Sequence, residues 1–159
     1  MIETVDNLWL SRSWTTRSRR PNELEDAYYF VTEEEFKLNI EQNGFLEWAK
    51  FLDHYYGTPK PEHFDEHDIV LEIDIQGARQ IVDNYRSISK MILLVPPSNE
   101  ILFERLSKRG DPIEHIKKRI ELAVIEIDQG RQFADEIVVN DELGATVAKI
   151  ADIIDRWRS

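Results

Sequence analysis

The 159-residue chain contains no cysteine. That excludes a disulfide framework, a cysteine-held metal and a thiol nucleophile, and it fits a cytoplasmic protein. Its first residues, Met1-Ile2-Glu3-Thr4-Val5-Asp6, lack the basic region and apolar run of a secretory signal. No apolar stretch approaches membrane-spanning length. Basic charge is scarce: 20 Lys and Arg stand against 31 Asp and Glu, a net charge of −11. Nucleic-acid binding needs a basic face, so no nucleic-acid or membrane partner is expected. There is no G-x-S-x-G elbow, internal repeat or low-complexity stretch. What remains, 42% hydrophobic and 32% charged, reads as a single globular domain with a sizeable core.

Against this acidic background one stretch stands out. Ser13-Trp14-Thr15-Thr16-Arg17-Ser18-Arg19-Arg20 places three arginines among hydroxyl side chains. Guanidinium forks and hydroxyl donors suit the oxygens of a phosphate, because a fork gives two parallel hydrogen bonds. The cluster is therefore either an anion site or a solvated basic turn.

Leu8-Trp9-Leu10 reads as a short strand leading into this cluster, and Pro21-Asn22-Glu23 as a turn. Tyr28-Tyr29-Phe30-Val31 is aromatic and β-branched, which predicts a strand. Thr32-Glu33-Glu34-Glu35 has the capping-box spacing of a helix start, and that helix stops at Gly44. Tyr55-Tyr56-Gly57-Thr58-Pro59 reads as a turn and residues 60–67 as a connector. The aromatic, turn-rich segment 8–58 is expected to be a small, mainly β subdomain. Beyond it, Ile69–Ile75 is an almost continuous apolar run, predicting a strand buried on both faces. Gln76-Gly77-Ala78 breaks that run before a helix. Lys90–Val95 and Glu136–Val139 are further strands. Ser98 caps a helix, Gly110-Asp111-Pro112 breaks it, and apolar spacing predicts helices after Pro112 and from Glu142. Strands alternating with helices argue for a parallel α/β sheet.

Candidate chemistry lies at few places. Glu72 and Asp74 are two apart at the end of an apolar run, so as strand residues they point to one face. They could hold magnesium through water or accept from a ligand N–H; the alternative is a carboxylate satisfied by a helix N-terminus or an arginine. Glu47 sits among Phe45, Leu46 and Trp48, either as a functional acid or as a surface position on an amphipathic helix. Arg105 and Arg109 share a helix face, with Arg119 further on, a set that suits either a phosphoryl clamp or i,i+4 pairing on a solvated helix. His63 and His67 have helical metal-ligand spacing but lack the adjoining Glu of a zinc protease and lie in the expected connector.

Taken together these motifs resemble guanylate kinase, the family that transfers phosphate from ATP to GMP. The likeness is carried by Ser13-Trp14-Thr15-Thr16-Arg17 with Arg20-Pro21; by Tyr28–Val31; by Gly44-Phe45-Leu46-Glu47-Trp48-Ala49; and by Tyr55–Pro59. It continues in Leu71-Glu72-Ile73-Asp74-Ile75-Gln76-Gly77-Ala78, Pro96-Pro97-Ser98, Arg105–Gly110 and Val138-Val139-Asn140-Asp141. The order and near-correct spacing of these short motifs make the resemblance specific.

The resemblance implies a P-loop-kinase-like α/β fold in one domain, residues 1–159. Residues 8–60 would form the GMP-binding subdomain, 68–97 core strands, 105–119 an arginine-bearing lid, and 120–159 core helices and the last strand. It implies that Ser13, Arg17, Arg20, Tyr28 and Tyr56 bind the GMP phosphate. Glu47, Thr58 and Asp74 would read the guanine edge. Glu72 would stand near Mg2+ brought with ATP. Arg105 and Arg109 would meet the ATP phosphates, Arg119 would clamp the transferred group, and Asn140 would lie near adenine. Three departures are small: Glu72 stands where the family has Asp, and the segments Arg20–Tyr28 and Arg109–Arg119 are each one residue short. One is large. Seven residues precede Leu8 and none of the six glycines is followed by lysine. The first strand and the phosphate-cradling P-loop are thus absent from this sequence. As written, the chain is expected to be weakly active or inactive. The alternative is a non-catalytic module of the same family that binds GMP or a protein partner.

Overall fold

The structure, a computed structural model, describes residues 5–61 and 68–159. His63 and His67 lie outside the described residues, as does most of the expected connector. The chain divides at Ser89/Lys90 into two compact units.

The first unit begins with β1 (Leu8–Leu10), which runs parallel to β6 (Asp68–Val70), with Leu8 opposite Asp68 and Leu10 opposite Val70. A separate four-stranded sheet holds β2 (Trp14–Thr15), β3 (Tyr29–Phe30), β4 (Phe45–Phe51) and β5 (His54–Pro59) in the order β3-β2-β5-β4. Only its β2–β3 pair is parallel. Four of the five strands in residues 8–59 thus share one sheet, and Tyr55–Pro59 is a strand and not a turn. The reversal falls earlier, at Leu52 and Asp53, where Leu52 takes φ 54°. Aromatic side chains at Tyr55 and Tyr56 favour the pleated surface they pack on, and this outweighs the turn signal of Gly57 and Pro59.

Helix α1 (Glu33–Glu41) starts as its sequence dictates: Thr32 caps Glu35 N–H, and the Glu35 carboxylate accepts from Thr32 N–H. Its one buried residue, Phe36, stacks on Phe45 at 4.5 Å and lies 5.4 Å from the Tyr55 ring. Those contacts pin the helix to the sheet, and burying the ring contributes about 2–3 kcal/mol. The left-handed residue that ends the helix is Asn43, φ 53°, one before the expected Gly44.

The expected strand Ile69–Ile75 is much shorter. β6 ends at Val70, Ile69 and Val70 are half-buried, and α2 (Ile75–Tyr85) already begins at Ile75. Gln76-Gly77-Ala78 is the first turn of this helix and not a break before it. The apolar run continues into α2 because a helix packing one face on a sheet needs the same residue types as a strand.

The second unit pairs β7 (Ile92–Val95) with β8 (Glu136–Val139) in parallel, Ile92 opposite Glu136. Outside the four-stranded sheet, the described parallel strands thus form two separate pairs, β1–β6 and β7–β8. Ser98 caps α3 (Asn99–Lys108), and Gly110 at φ 86° makes the turn into α4 (Ile113–Arg131). Only glycine takes that backbone conformation without strain. Helix α5 (Leu143–Arg158) is capped by Glu142, which accepts from Gly144 and Ala145 N–H. Val138, Ile150 and Ile153 form its core with Ile92, Ile154 and Trp157. No helix of the described residues is long and apolar enough to cross a membrane.

Candidate functional site: two carboxylates against a phenol and arginine cluster

Glu47 lies mid-strand in β4 and is 4% exposed, which rules out a surface helix position. In the β4–β5 register it faces Thr58, which is fully buried and donates its hydroxyl to Glu47 Oε1 at 2.5 Å. Burial pushes the Glu47 carboxyl up to about 7, helped by the Asp74 charge and opposed by the Thr58 hydrogen bond. Gly77, in the first turn of α2, lies so close that a Cβ there would run into the Glu47 carboxylate. A side chain here would force the Glu47 carboxylate to shift, so the constraint on this position is close approach and not its dihedral angles.

Asp74 is the N-cap of α2. Its Oδ1 accepts from Gln76 N–H and Gly77 N–H, both at 2.9 Å. The alternative read for this acid, satisfaction by a helix N-terminus, thus holds for one oxygen. The other, Oδ2, is buried and has no hydrogen-bond partner among the described residues. A buried acceptor left unmatched is costly unless a ligand meets it. Glu72 is not on a strand beside Asp74, since β6 ends two residues before it. It is exposed, and its charge reaches the Tyr28 phenol. The expectation that both acids share a strand face therefore fails, because the strand gives way to the capped helix start. Among the described residues no three His, Cys, Asp or Glu side chains gather to hold a metal.

The arginine cluster is built differently. Arg17 makes a two-pronged ion pair with Glu23, at 2.8 and 3.1 Å, and its guanidinium also lies 5.6 Å from the Tyr28 ring centre. The Glu23 bond and the Tyr56 phenol raise the Arg17 pKa further, while Arg17 holds the Glu23 carboxyl below its usual range. Tyr28 and Tyr56 meet edge to face at 6.2 Å, and burial followed by Tyr56 raises the Tyr28 phenol. Arg20 is exposed, and its N–H donates to Glu23 at 2.9 Å. Ser13, half-buried just before β2, accepts from Tyr29 N–H through its carbonyl. The structure thus brings Arg17, Tyr28 and Tyr56 together, and Glu47, Thr58 and Asp74 together.

In the second unit the arginines are occupied by the protein. Arg105 donates to the carbonyls of Asn140 and Asp141 at 2.8 and 2.7 Å. Arg109 pairs with Asp111, and Arg119 approaches Glu126 at 3.8 Å. Asn140 follows β8, where its N–H donates to Val95 C=O at 2.8 Å.

Two residues were not singled out by sequence. Glu23 holds Arg17 and Arg20, and its only signal was a place just after the Pro21-Asn22 turn, six residues beyond Arg17. Arg12 donates to the carbonyls of Glu25 and Tyr28, both at 2.7 Å, and lies 4.1 Å over the Tyr29 ring. Nothing in its local sequence marks it.

The family model described as guanylate kinase matches residues 4–157. The chain belongs to the guanylate kinase family. A guanylate kinase from Caldanaerobacter subterraneus subsp. tengcongensis is 43% identical over 160 residues, covering 97% of this chain and 77% of that protein. One from Acinetobacter baylyi is 39% identical over 97% of this chain and 76% of its own length. The crystal structure of guanylate kinase from Anaplasma phagocytophilum superposes with a TM-score of 0.80 at 29% identity, over 95% of this chain and 76% of that one. The mixed α/β architecture with parallel strands is that of the family. Guanylate kinases are nucleoside monophosphate kinases that use ATP and GMP, and this chain is one of them by descent.

Proposed function

We propose that residues 8–60 and Asp74 form the acceptor site for GMP, and that the chain catalyses transfer of the ATP γ-phosphoryl group to it. The observation that carries this reading is the pair of carboxylates at one place: Glu47 is buried on Thr58, and Asp74 keeps Oδ2 without a partner among the described residues. Guanine offers an N1–H and an N2 amino group on one edge, whereas adenine offers no such pair of donors. Two acceptors held in a buried setting therefore select guanine over adenine, because the wrong base leaves them unpaired.

Arg17, Tyr28 and Tyr56, with Ser13 and Arg20 at the margin, would bind the phosphate. Arg17 would exchange the Glu23 carboxylate for phosphate oxygens of the same charge and bidentate shape. Magnesium would arrive with ATP and supply positive charge to the phosphate oxygens, held from the protein side by Glu72 through water. A single carboxylate fits that role, since magnesium keeps several waters and takes most of its other ligands from phosphate. Arg105 and Arg109 are assigned to ATP, Asn140 to its adenine, and Arg119 to the transferred group. Arg105 and Arg109 would first leave protein acceptors, which costs little at their exposed positions. Positioning and charge stabilisation supply most of phosphoryl-transfer catalysis. The sequence has no Gly-Lys-Ser/Thr loop to cradle ATP.

Calorimetry of the 159-residue chain with GMP and AMP tests the acceptor site. GMP binds in preference, and Glu47→Ala or Asp74→Ala removes the preference; equal binding of both nucleotides overturns the reading. Joining a Gly-rich phosphate loop to the N-terminus should give ADP and GDP in equal amounts. GMP binding with no turnover even then would favour the non-catalytic module.

A further inference from the structure

One edge of the four-stranded sheet is β4, the strand that carries Glu47. An edge strand presents backbone N–H and C=O groups that its one neighbour does not take. Here three of them are taken by side chains of α2. Gln80 Oε1 accepts from Trp48 N–H at 3.2 Å, and its Nε2 donates to Trp48 C=O at 2.6 Å. One turn earlier, Gln76 Nε2 donates to Lys50 C=O at 3.4 Å. A primary amide carries a donor and an acceptor side by side, so it can pair with both backbone groups of one strand residue. Residues 76 and 80 are four apart, hence on one helix face.

The position of this clasp gives it consequence. Trp48 directly follows Glu47. Asp74 is the cap of the helix that carries Gln80. Gly77, between the two glutamines, leaves no room for a Cβ against the Glu47 carboxylate. The two carboxylates thus sit on different elements, and the glutamine bonds are the polar link between those elements beside the site.

We propose that Gln80, assisted by Gln76, is a positioning residue for base recognition: it holds α2 on the edge of β4 and so fixes the spacing of Glu47 and Asp74 to match the two donors of guanine. This rests on the acceptor-site reading above. Gln80 does not touch the ligand in this scheme. A small slip of α2 along β4 would leave one carboxylate out of reach of its donor.

The test compares Gln80→Met, which keeps length and removes both hydrogen bonds, with Glu47→Gln. Binding of GMP, IMP and ribose 5-phosphate to the full chain is measured by calorimetry, with folding checked by circular dichroism. IMP keeps N1–H and lacks the N2 amino group. Gln80→Met should lower the GMP-over-IMP affinity ratio about tenfold while ribose 5-phosphate affinity stays unchanged. A drop in all three affinities by the same factor means a merely structural role and overturns the proposal. An unchanged ratio in Gln80→Met, with the ratio lost in Glu47→Gln, overturns the clasp and leaves the acceptor site standing. An unchanged ratio in both variants overturns both. If Gln80→Met does not fold, Gln80→Asn shortens the same amide by one methylene. It should show the same selective loss, and an unchanged ratio there is equally decisive against the proposal.

Discussion

The base-reading end and the arginine positions solve opposite problems. At the proposed base end, Glu47 is buried on Thr58, and half-buried Asp74 keeps one buried oxygen, Oδ2, that no described residue fills. At the arginines the protein fills what it can: Arg17 holds Glu23, Arg105 holds two carbonyls, and Arg109 holds Asp111. A carboxylate can wait buried because protonation relieves its charge. A guanidinium cannot shed its proton, so it must have an acceptor at all times. On the proposed reading, selectivity is thus built in before ligand arrives, while charge clamping is obtained by exchange of partners.

The largest break in that contrast should come from Gly77→Ala. The added methyl group collides with the Glu47 carboxylate, so GMP affinity should fall about 100-fold with ribose 5-phosphate binding nearly intact. Calorimetry with both ligands reads this.

Glu47→Gln comes next and should act in two directions. The GMP-over-AMP affinity ratio drops about 30-fold or more. Stability should rise at high pH. The Glu47 carboxyl sits at about 7 in the folded chain against 4.5 ordinarily, so between those values the folded state binds more protons and stability falls as pH rises. The variant lacks this slope, and urea unfolding at pH 5 and pH 8 should show its advantage growing to about 1–3 kcal/mol at pH 8. The same raised carboxyl makes recognition pH-dependent. Guanosine, which carries no phosphate to titrate, should bind several-fold more weakly at pH 6 than at pH 8, as Glu47 takes up a proton and loses acceptor capacity.

Arg17→Ala tests the exchange side. It should lower GMP affinity about tenfold or more with guanosine affinity unchanged, since the proposed site assigns Arg17 to the phosphate alone. The smallest effect belongs to Arg105→Lys. An ammonium cannot reproduce the fork on two carbonyls, so thermal stability should fall by about 1 kcal/mol with GMP binding unaltered.

Much of the local structure was legible because its causes are local. The Thr32–Glu35 capping box, the Ser98 cap and the Gly110 turn depend on a few adjacent residues, and all form where the pattern placed them. The motifs around Ser13, Tyr28, Glu47 and Asp74 also pointed to one chemistry, to which the family comparisons agree. Where the reading failed, two local signals were equally strong. Gly57 and Pro59 suggested a turn, but pairing of β5 with both β2 and β4 drew the segment into the sheet. The run after Asp68 could begin a strand or a helix, and the N-cap geometry of Asp74 resolved it in favour of the helix.

By itself the sequence determined every helix start but that of α2, the acidic character of the chain, and the membership of a phosphate-transferring family. The tertiary structure alone decided which groups are satisfied. Only the β4–β5 register could set Thr58 against Glu47, and only the approach of α2 to β4 could crowd position 77 and leave Asp74 Oδ2 without a partner among the described residues. Those properties come from residues far apart in the chain, and burial and hydrogen bonding between them exist only once the strands and helix are packed.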